Sequence, residues 1–260
     1  DSTGLDFQKY LGIALFIDKR YPESLESMRH AVEQQPEDQD LPFYIGASFY
    51  YLHNYELAAN YLGPAANAHR PRGEAARLMG LALARGGEEP EGIVYYLEQA
   101  LREGSEDPAL PCMLGEMYVR LNRWDDARGR FAECEKLNPD QPAALLGQGL
   151  VEDHDGHPRA AVTHLTKFLA TQPASPAVHM RLGLALLKLA RPDSALTHFR
   201  WVLNSDTTFA DLKPDTLSEG QVLDIVFIIL MAGRNNEDGI VVGERLLDLL
   251  AATALARKVL

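Results

Sequence analysis

Cysteine is nearly absent: the 260 residues hold two, Cys112 and Cys134. Two are too few for a disulfide scaffold, and they do not stand in metal-ligand spacing. Each is expected to pack as a small apolar residue. Long apolar runs are missing as well. The most apolar stretch, VLDIVFIILMAG (222–233), carries Asp224 and is too short for a membrane span, so it reads as a buried helix. Positive charge is in deficit, with 25 Lys and Arg against 37 Asp and Glu and a net charge of -12. That balance argues against nucleic acid as a partner and against docking on anionic lipid. No phosphate-binding glycine loop, HExxH, paired CxxC or nucleophile elbow occurs. GGEEPEG (86–92) is Gly-rich, but its acids repel phosphate. No enzymatic activity, cofactor or metal is therefore expected. There is no signal-peptide layout, and the opening Asp1-Ser2-Thr3-Gly4 reads as a processed, tagged or excised amino terminus. The compartment, cytoplasmic or periplasmic, stays open.

What is present is a repeat. KYLGIAL (9–15), FYIGASF (43–49), RLMGLAL (77–83), CMLGEMY (112–118), LGQGLVE (146–152) and MRLGLAL (180–186) align on Gly12, Gly46, Gly80, Gly115, Gly149 and Gly183. The glycines recur every 34 residues, with one step of 35 from Gly80 to Gly115. The turn GGEEPEG is one place able to absorb the extra residue. Second halves agree: several of them, such as WDDARGRFAECEKLNP (124–139), close on proline. Each unit thus holds two apolar runs at helical spacing, split by a turn. The first run is helix A and the second helix B below.

Leu114-Gly115, Tyr118, Trp124, Ala127, Phe131 and Pro139 reproduce most of a known 34-residue signature. In this the chain resembles the tetratricopeptide repeat (TPR) family. The resemblance spans roughly residues 5–207. It departs at the first signature position, where Gln8, Pro42, Ala76, Pro111, Leu145 and His179 stand in place of tryptophan. It implies an all-α fold, a right-handed superhelical solenoid of antiparallel helix pairs. Six repeats are expected at about 5–38, 39–72, 73–107, 108–141, 142–175 and 176–207. Residues 208–260 are expected to form a linker and C-terminal capping helices, a degenerate seventh repeat.

Physics supports the same layout. The glycine of helix A and a small residue of helix B (Ser24, Ala58, Gly92, Ala127, Ala161, Ala195) allow two helices to approach closely. Neither helix buries its apolar face alone, so neighbouring repeats must stack. The closing proline stops helix B, because it cannot continue the hydrogen-bond ladder. In the C-terminal part, residues 226–231 leave little room for the polar outer face a cap needs. Either the last helix folds over them or another chain does, which keeps a homo-oligomer through 222–250 open.

The resemblance implies non-enzymatic protein–protein interaction, with a partner segment held in the concave groove lined by A helices. Carried over by register, that groove offers Lys9 and Phe16, then Phe43, Tyr50 and Tyr51, then Arg77 and Arg85. Glu116 and Arg120, Asp153 and His154, and Met180 and Lys188 follow. Aromatics sit near one end and arginines in the middle, residue types that binding hot spots favour. The partner expected is a protein or peptide with acidic and apolar residues. The alternative is that the aromatics fill core and the arginines snorkel over it. The carboxylate clamp of chaperone-binding TPR domains is not present as a set: Lys9 fits, but Ile13 and Glu74 do not.

VEDHDGHPRAAV (151–162) looks like a metal loop. In register, Gly156 falls in the A–B turn and His157-Pro158 opens helix B. Glu152 takes the slot that Tyr118 fills one repeat earlier. His164 and His198, one repeat apart, read as surface framework residues.

Overall fold

The computed structural model describes residues 2–35, 37–67 and 72–204. The expected linker and C-terminal helices at 208–260, with the apolar run in them, lie outside these residues, as do Pro36, His69 and Pro71. The described chain has twelve helices and no strand. They alternate as A and B: α1 (Ser2–Ile17) and α2 (Tyr21–Gln34), α3 (Leu41–Tyr51) and α4 (Tyr55–Asn67), α5 (Arg72–Gly86) and α6 (Pro90–Arg102). Then come α7 (Leu110–Arg120) and α8 (Trp124–Leu137), α9 (Pro142–His154) and α10 (Pro158–Thr171), α11 (Pro176–Lys188) and α12 (Pro192–Asn204). Two compact units, residues 1–130 and 131–260, divide within α8.

Each A helix ends in the same way. The residue seven after the aligned glycine has positive φ: Lys19 (61°), His53 (61°), Gly87 (78°), Asn122 (55°), Gly156 (78°) and Ala190 (54°). The next residue donates its backbone N–H five residues back, as Arg20 does to Leu15 O (2.8 Å), Asn54 to Phe49 O (2.9 Å) and His157 to Glu152 O (2.8 Å). These are Schellman caps, which satisfy carbonyls that the helix end leaves open. Only two of the six left-handed positions carry glycine. The backbone pattern is therefore enforced by the helix pair, not by residue type. Proline then opens most of the following helices within the first turn, where its missing N–H costs nothing.

The aligned glycines are close-approach positions. A Cβ on Gly12 would lie 2.6 Å from Met28 Cγ, and one on Gly46 2.7 Å from Leu62 Cγ. The corresponding approaches are 2.6 Å from Gly149 to Leu165 Cδ2 and 2.5 Å from Gly183 to Phe199 Cε1. In the first pair Ser24 also donates its hydroxyl to Gly12 O at 2.8 Å, a buried bond. The large residue sits four after the small one of helix B, on the same face. This spacing corrects one expectation. In the third pair the side chain against Gly80 is Leu97, so the small-residue slot falls to Ile93, which is fully buried, while Gly92 is exposed. The extra residue of the 35-step therefore lies between Gly87 and the start of α6, inside GGEEPEG.

The cysteines also differ from expectation. Cys112 of α7 and Cys134 of α8 are both buried and both disulfide-bonded.

Candidate functional site

The expected groove residues fall into register columns that differ in exposure. One column, Lys9, Phe43, Arg77, Cys112, Leu146 and Met180, lies low. Phe43 and Met180 are each 7% exposed and belong to the packed interior. The column at the end of helix A, Ile17, Tyr51, Arg85, Arg120, His154 and Lys188, is exposed in every repeat. Between them, Phe16, Tyr50 and Asp153 are half-buried.

In residues 1–130, Phe16, Tyr21, Tyr44, Tyr50, Tyr51 and Tyr55 form one connected aromatic surface. Phe16 meets Tyr44 edge-on at 5.4 Å and Tyr21 at 5.7 Å. Tyr21 stacks on Tyr51 at 4.9 Å and 14°. Tyr51 meets Tyr50 at 5.4 Å, Tyr50 meets Tyr55 at 5.9 Å, and Tyr55 meets His53 at 6.0 Å. Edge-on and stacked pairs at these distances fix the rings relative to one another. Burial raises the Tyr50 phenol above its usual range, and Arg85 and Arg77 nearby partly oppose this. Tyr21, Tyr44 and Tyr55 were not among the expected groove residues. A signal for two of them exists: Tyr21 and Tyr55 open helix B at the slot that holds Trp124 in the fourth repeat.

The cations of this surface are mostly committed. Lys9 donates to Asp38 at 2.6 Å and Asp40 at 2.8 Å. Burial alone lowers the Lys9 ammonium, but the two carboxylate hydrogen bonds outweigh it and push it up to about 12. Arg77 binds Glu74 through two nitrogens at 2.7 and 2.8 Å and reaches Asp107 at 2.9 Å. Both clamps tie an A helix to the acidic loop that leads to the next repeat. Arg85 and Arg120 are different: both are exposed, and neither pairs with a described carboxylate. Glu116 is exposed as well. A cavity of about 390 Å³ opens elsewhere, between α2, α3 and α4, and is lined by Leu25, Arg29, Phe49 and Tyr61 among others. It includes none of the expected groove residues.

In residues 131–260, Lys188 pairs with Asp153 across one repeat. Burial lowers Arg181 below the usual guanidinium range, with Asp153 opposing. His154 is exposed and lies 3.1 Å from Asp155 Oδ1, while His157 Nδ1 lies 2.9 Å from Glu152 Oε2. The acids and histidines of VEDHDGHPRAAV thus pair locally around the Gly156 turn. Among the described residues no group of three or more His, Cys, Asp or Glu is placed to hold a metal ion.

His198 is not a surface framework residue. It is half-buried, and its Nδ1 lies 2.9 Å from Nδ1 of the buried His179. His179 Nε2 donates to Pro173 O at 3.0 Å, and its ring stacks on Trp201 at 4.0 Å. Since the carbonyl only accepts, a neutral His179 has no proton on Nδ1 and accepts there from His198. Burial lowers both imidazoles; for His179 the Pro173 carbonyl partly offsets it, and for His198 the neighbouring His179 adds to it. The sign follows. A group with a depressed folded pKa contributes fully above its unfolded value of about 6.5 and loses that contribution as pH falls. Thermal melting at pH 7.5 and 5.5 should show a larger drop in Tm for the native sequence than for His198→Gln. Equal drops would mean that the pair does not set the acid sensitivity.

Comparison with known proteins matches this architecture. Residues 45–108, 112–157 and 154–203 match the tetratricopeptide repeat family. A 65-residue stretch is 34% identical to Surface lipoprotein assembly modifier 1 of Neisseria meningitidis, covering 25% of this chain but only 13% of that protein. The crystal structure of YrrB, described as a TPR protein with an unusual peptide-binding site, superposes with a TM-score of 0.61 at 18% identity, over 74% of this chain and all of YrrB. PilW, a type IV pilus biogenesis factor, superposes with a TM-score of 0.54 at 12% identity, over 82% of this chain and 98% of PilW. At such identities the two structures speak for fold alone. With helix pairs, close-approach glycines and left-handed turns recurring at intervals of 34 or 35 residues, and the family's pattern matched over more than half of its length, the chain belongs to the tetratricopeptide repeat family.

Proposed function

We propose that the chain is a non-enzymatic adaptor that holds a segment of a partner protein on the A-helix surface of residues 1–130. The connected aromatic surface from Phe16 to Tyr55, flanked by the uncommitted Arg85, carries this reading. Preorganised tyrosines offer large contact area at low entropic cost, and an arginine without an internal partner has its charge to give. Because Lys9 and Arg77 already hold carboxylates, the partner is chiefly aromatic or apolar, with an acidic group for Arg85. The buried disulfide favours an oxidising compartment, since such bonds persist there and are rare in reducing cytosol. Likeness to a protein named for surface lipoprotein assembly favours a role within a larger envelope assembly or secretion system. Affinity capture followed by crosslinking mass spectrometry identifies the partner. The Tyr50→Ala, Tyr51→Ala, Arg85→Ala triple variant should keep its helicity and bind that partner at least about thirtyfold more weakly, as loss of an aromatic–arginine hot spot predicts. Undiminished affinity would remove the aromatic surface from the account.

A further inference from the structure

The junction between the first two repeats is left unfilled. The cavity of about 390 Å³ there shares no residue with the aromatic–arginine surface. Leu25 and Val32 line it from α2, Ile45 and Phe49 from α3, and Tyr61 from α4. Phe49 and Tyr61 stack at 5.8 Å and 24°, which fixes that side. Glu26, Arg29 and Glu33, all exposed on α2, complete the lining. A mostly apolar wall with a few charged groups is the make-up of a ligand site, and such sites measure about 300–1,000 Å³. The same registers are closed in later repeats. Arg29 and Phe49 correspond to Glu98 and Tyr118, and the Tyr118 hydroxyl donates to Glu98. Val32 and Ile45 correspond to Glu135 and Gln148, and Gln148 Nε2 donates to Glu135 at 3.2 Å. No such bond can form at the first junction, because Phe49, Val32 and Ile45 carry no polar side-chain atom.

The charges beside the cavity are unspent. Arg29 stands three residues after Glu26 and four before Glu33, spacings at which helical side chains pair. Yet among the described residues Glu26 and Arg29 form no ion pair, and Glu33 reaches only His30, at 3.9 Å. We infer that this cavity is a second docking site, which takes a large apolar side chain of a partner protein with a lysine or arginine beside it in sequence. The apolar group fills the cavity, the cation pairs with Glu26 or Glu33, and Arg29 donates to a carbonyl of the incoming backbone. Two carboxylates against one guanidinium leave a net negative charge, so a basic segment is selected over an acidic one. That is the opposite preference to the Arg85 surface. The two sites take different segments, and neither reading depends on the other.

Titration of the isotope-labelled full chain with the capped dipeptide acetyl-Phe-Arg-amide, at millimolar concentration, tests this through amide chemical shifts. Shifts should centre on Leu25, Val32 and Ile45, and acetyl-Phe-Glu-amide should bind at least about fivefold more weakly. Val32→Phe fills the cavity and should weaken binding of the arginine peptide at least about tenfold, with circular dichroism unchanged. Glu26→Gln with Glu33→Gln leaves the cavity open, changes only exposed side chains, and should remove most of the difference between the two peptides. Absence of shifts at these residues, shifts at Tyr51 and Arg85 in their place, or equal binding of the two peptides by the native chain would each overturn the inference. So would binding indifferent to Val32→Phe, or a charge preference that survives the double glutamine variant.

Discussion

Replacing Cys112 and Cys134 together by serine should cost about 3 kcal/mol of stability. A native disulfide typically contributes about 2–4 kcal/mol, chiefly by restricting the unfolded chain, and both cysteines are disulfide-bonded. Both cysteines are buried, so the serine hydroxyls also enter apolar surroundings, which adds to the cost. Urea unfolding of the native and double-serine chains, each without reductant, measures the difference. The same loss should appear when the native chain unfolds in excess dithiothreitol, and the serine variant should not respond to reductant. A difference below about 0.5 kcal/mol would mean that the bond constrains little of the unfolded chain.

A second large effect is expected at Gly46. Leucine there gains about 1 kcal/mol of helix propensity, which by itself would stabilise. Against that, its Cβ alone would sit 2.7 Å from Leu62 Cγ and 3.0 Å from the Leu62 backbone nitrogen. A side-chain tip can move aside; the backbone of α4 moves only by parting the helix pair. Overpacking of this kind costs about 1–3 kcal/mol and sometimes more. Because backbone is involved the upper end applies, and a net loss of about 2 kcal/mol is expected. Gly129 supplies the opposite sign. Nothing stands within 4 Å of a Cβ placed there on α8, so Gly129→Ala should stabilise by about 0.5–1 kcal/mol. Thermal or urea unfolding of the two variants reads both effects. If Gly46→Leu were neutral, the helix pair would not be held at the distance the structure shows.

Much of the fold was legible because the repeat constrains it six times over. The aligned glycines and the position seven beyond them mark the crossing and the cap of each pair, and agreement among six copies outweighs weak propensity in any one. The placement of the extra residue was legible only as a candidate turn. Deciding between Gly92 and Ile93 required seeing Leu97 against Gly80. The site was less legible, for physical reasons. Whether Lys9 and Arg77 are available to a partner depends on Asp38, Asp40 and Asp107, about thirty residues away in loops whose path no periodicity dictates. Register alone does not say how deep a column lies, so Phe43 and Met180 look equivalent to Tyr51 until burial is known. The aromatic surface was half visible: Phe16, Tyr50 and Tyr51 came from helix A, while Tyr21 and Tyr55 sit at the start of helix B, where attention to helix A alone does not reach.

The most direct measurement places a photo-crosslinking amino acid at Tyr51 in one variant and at Tyr95 in another. Both side chains are exposed, at 40% and 53%, but Tyr51 ends an A helix inside the aromatic surface and Tyr95 lies on helix B of the third repeat. With the captured partner present, crosslinks should form from position 51 and be near background from position 95. Equal yields at the two positions, or a higher yield at 95, would contradict binding on the A-helix surface.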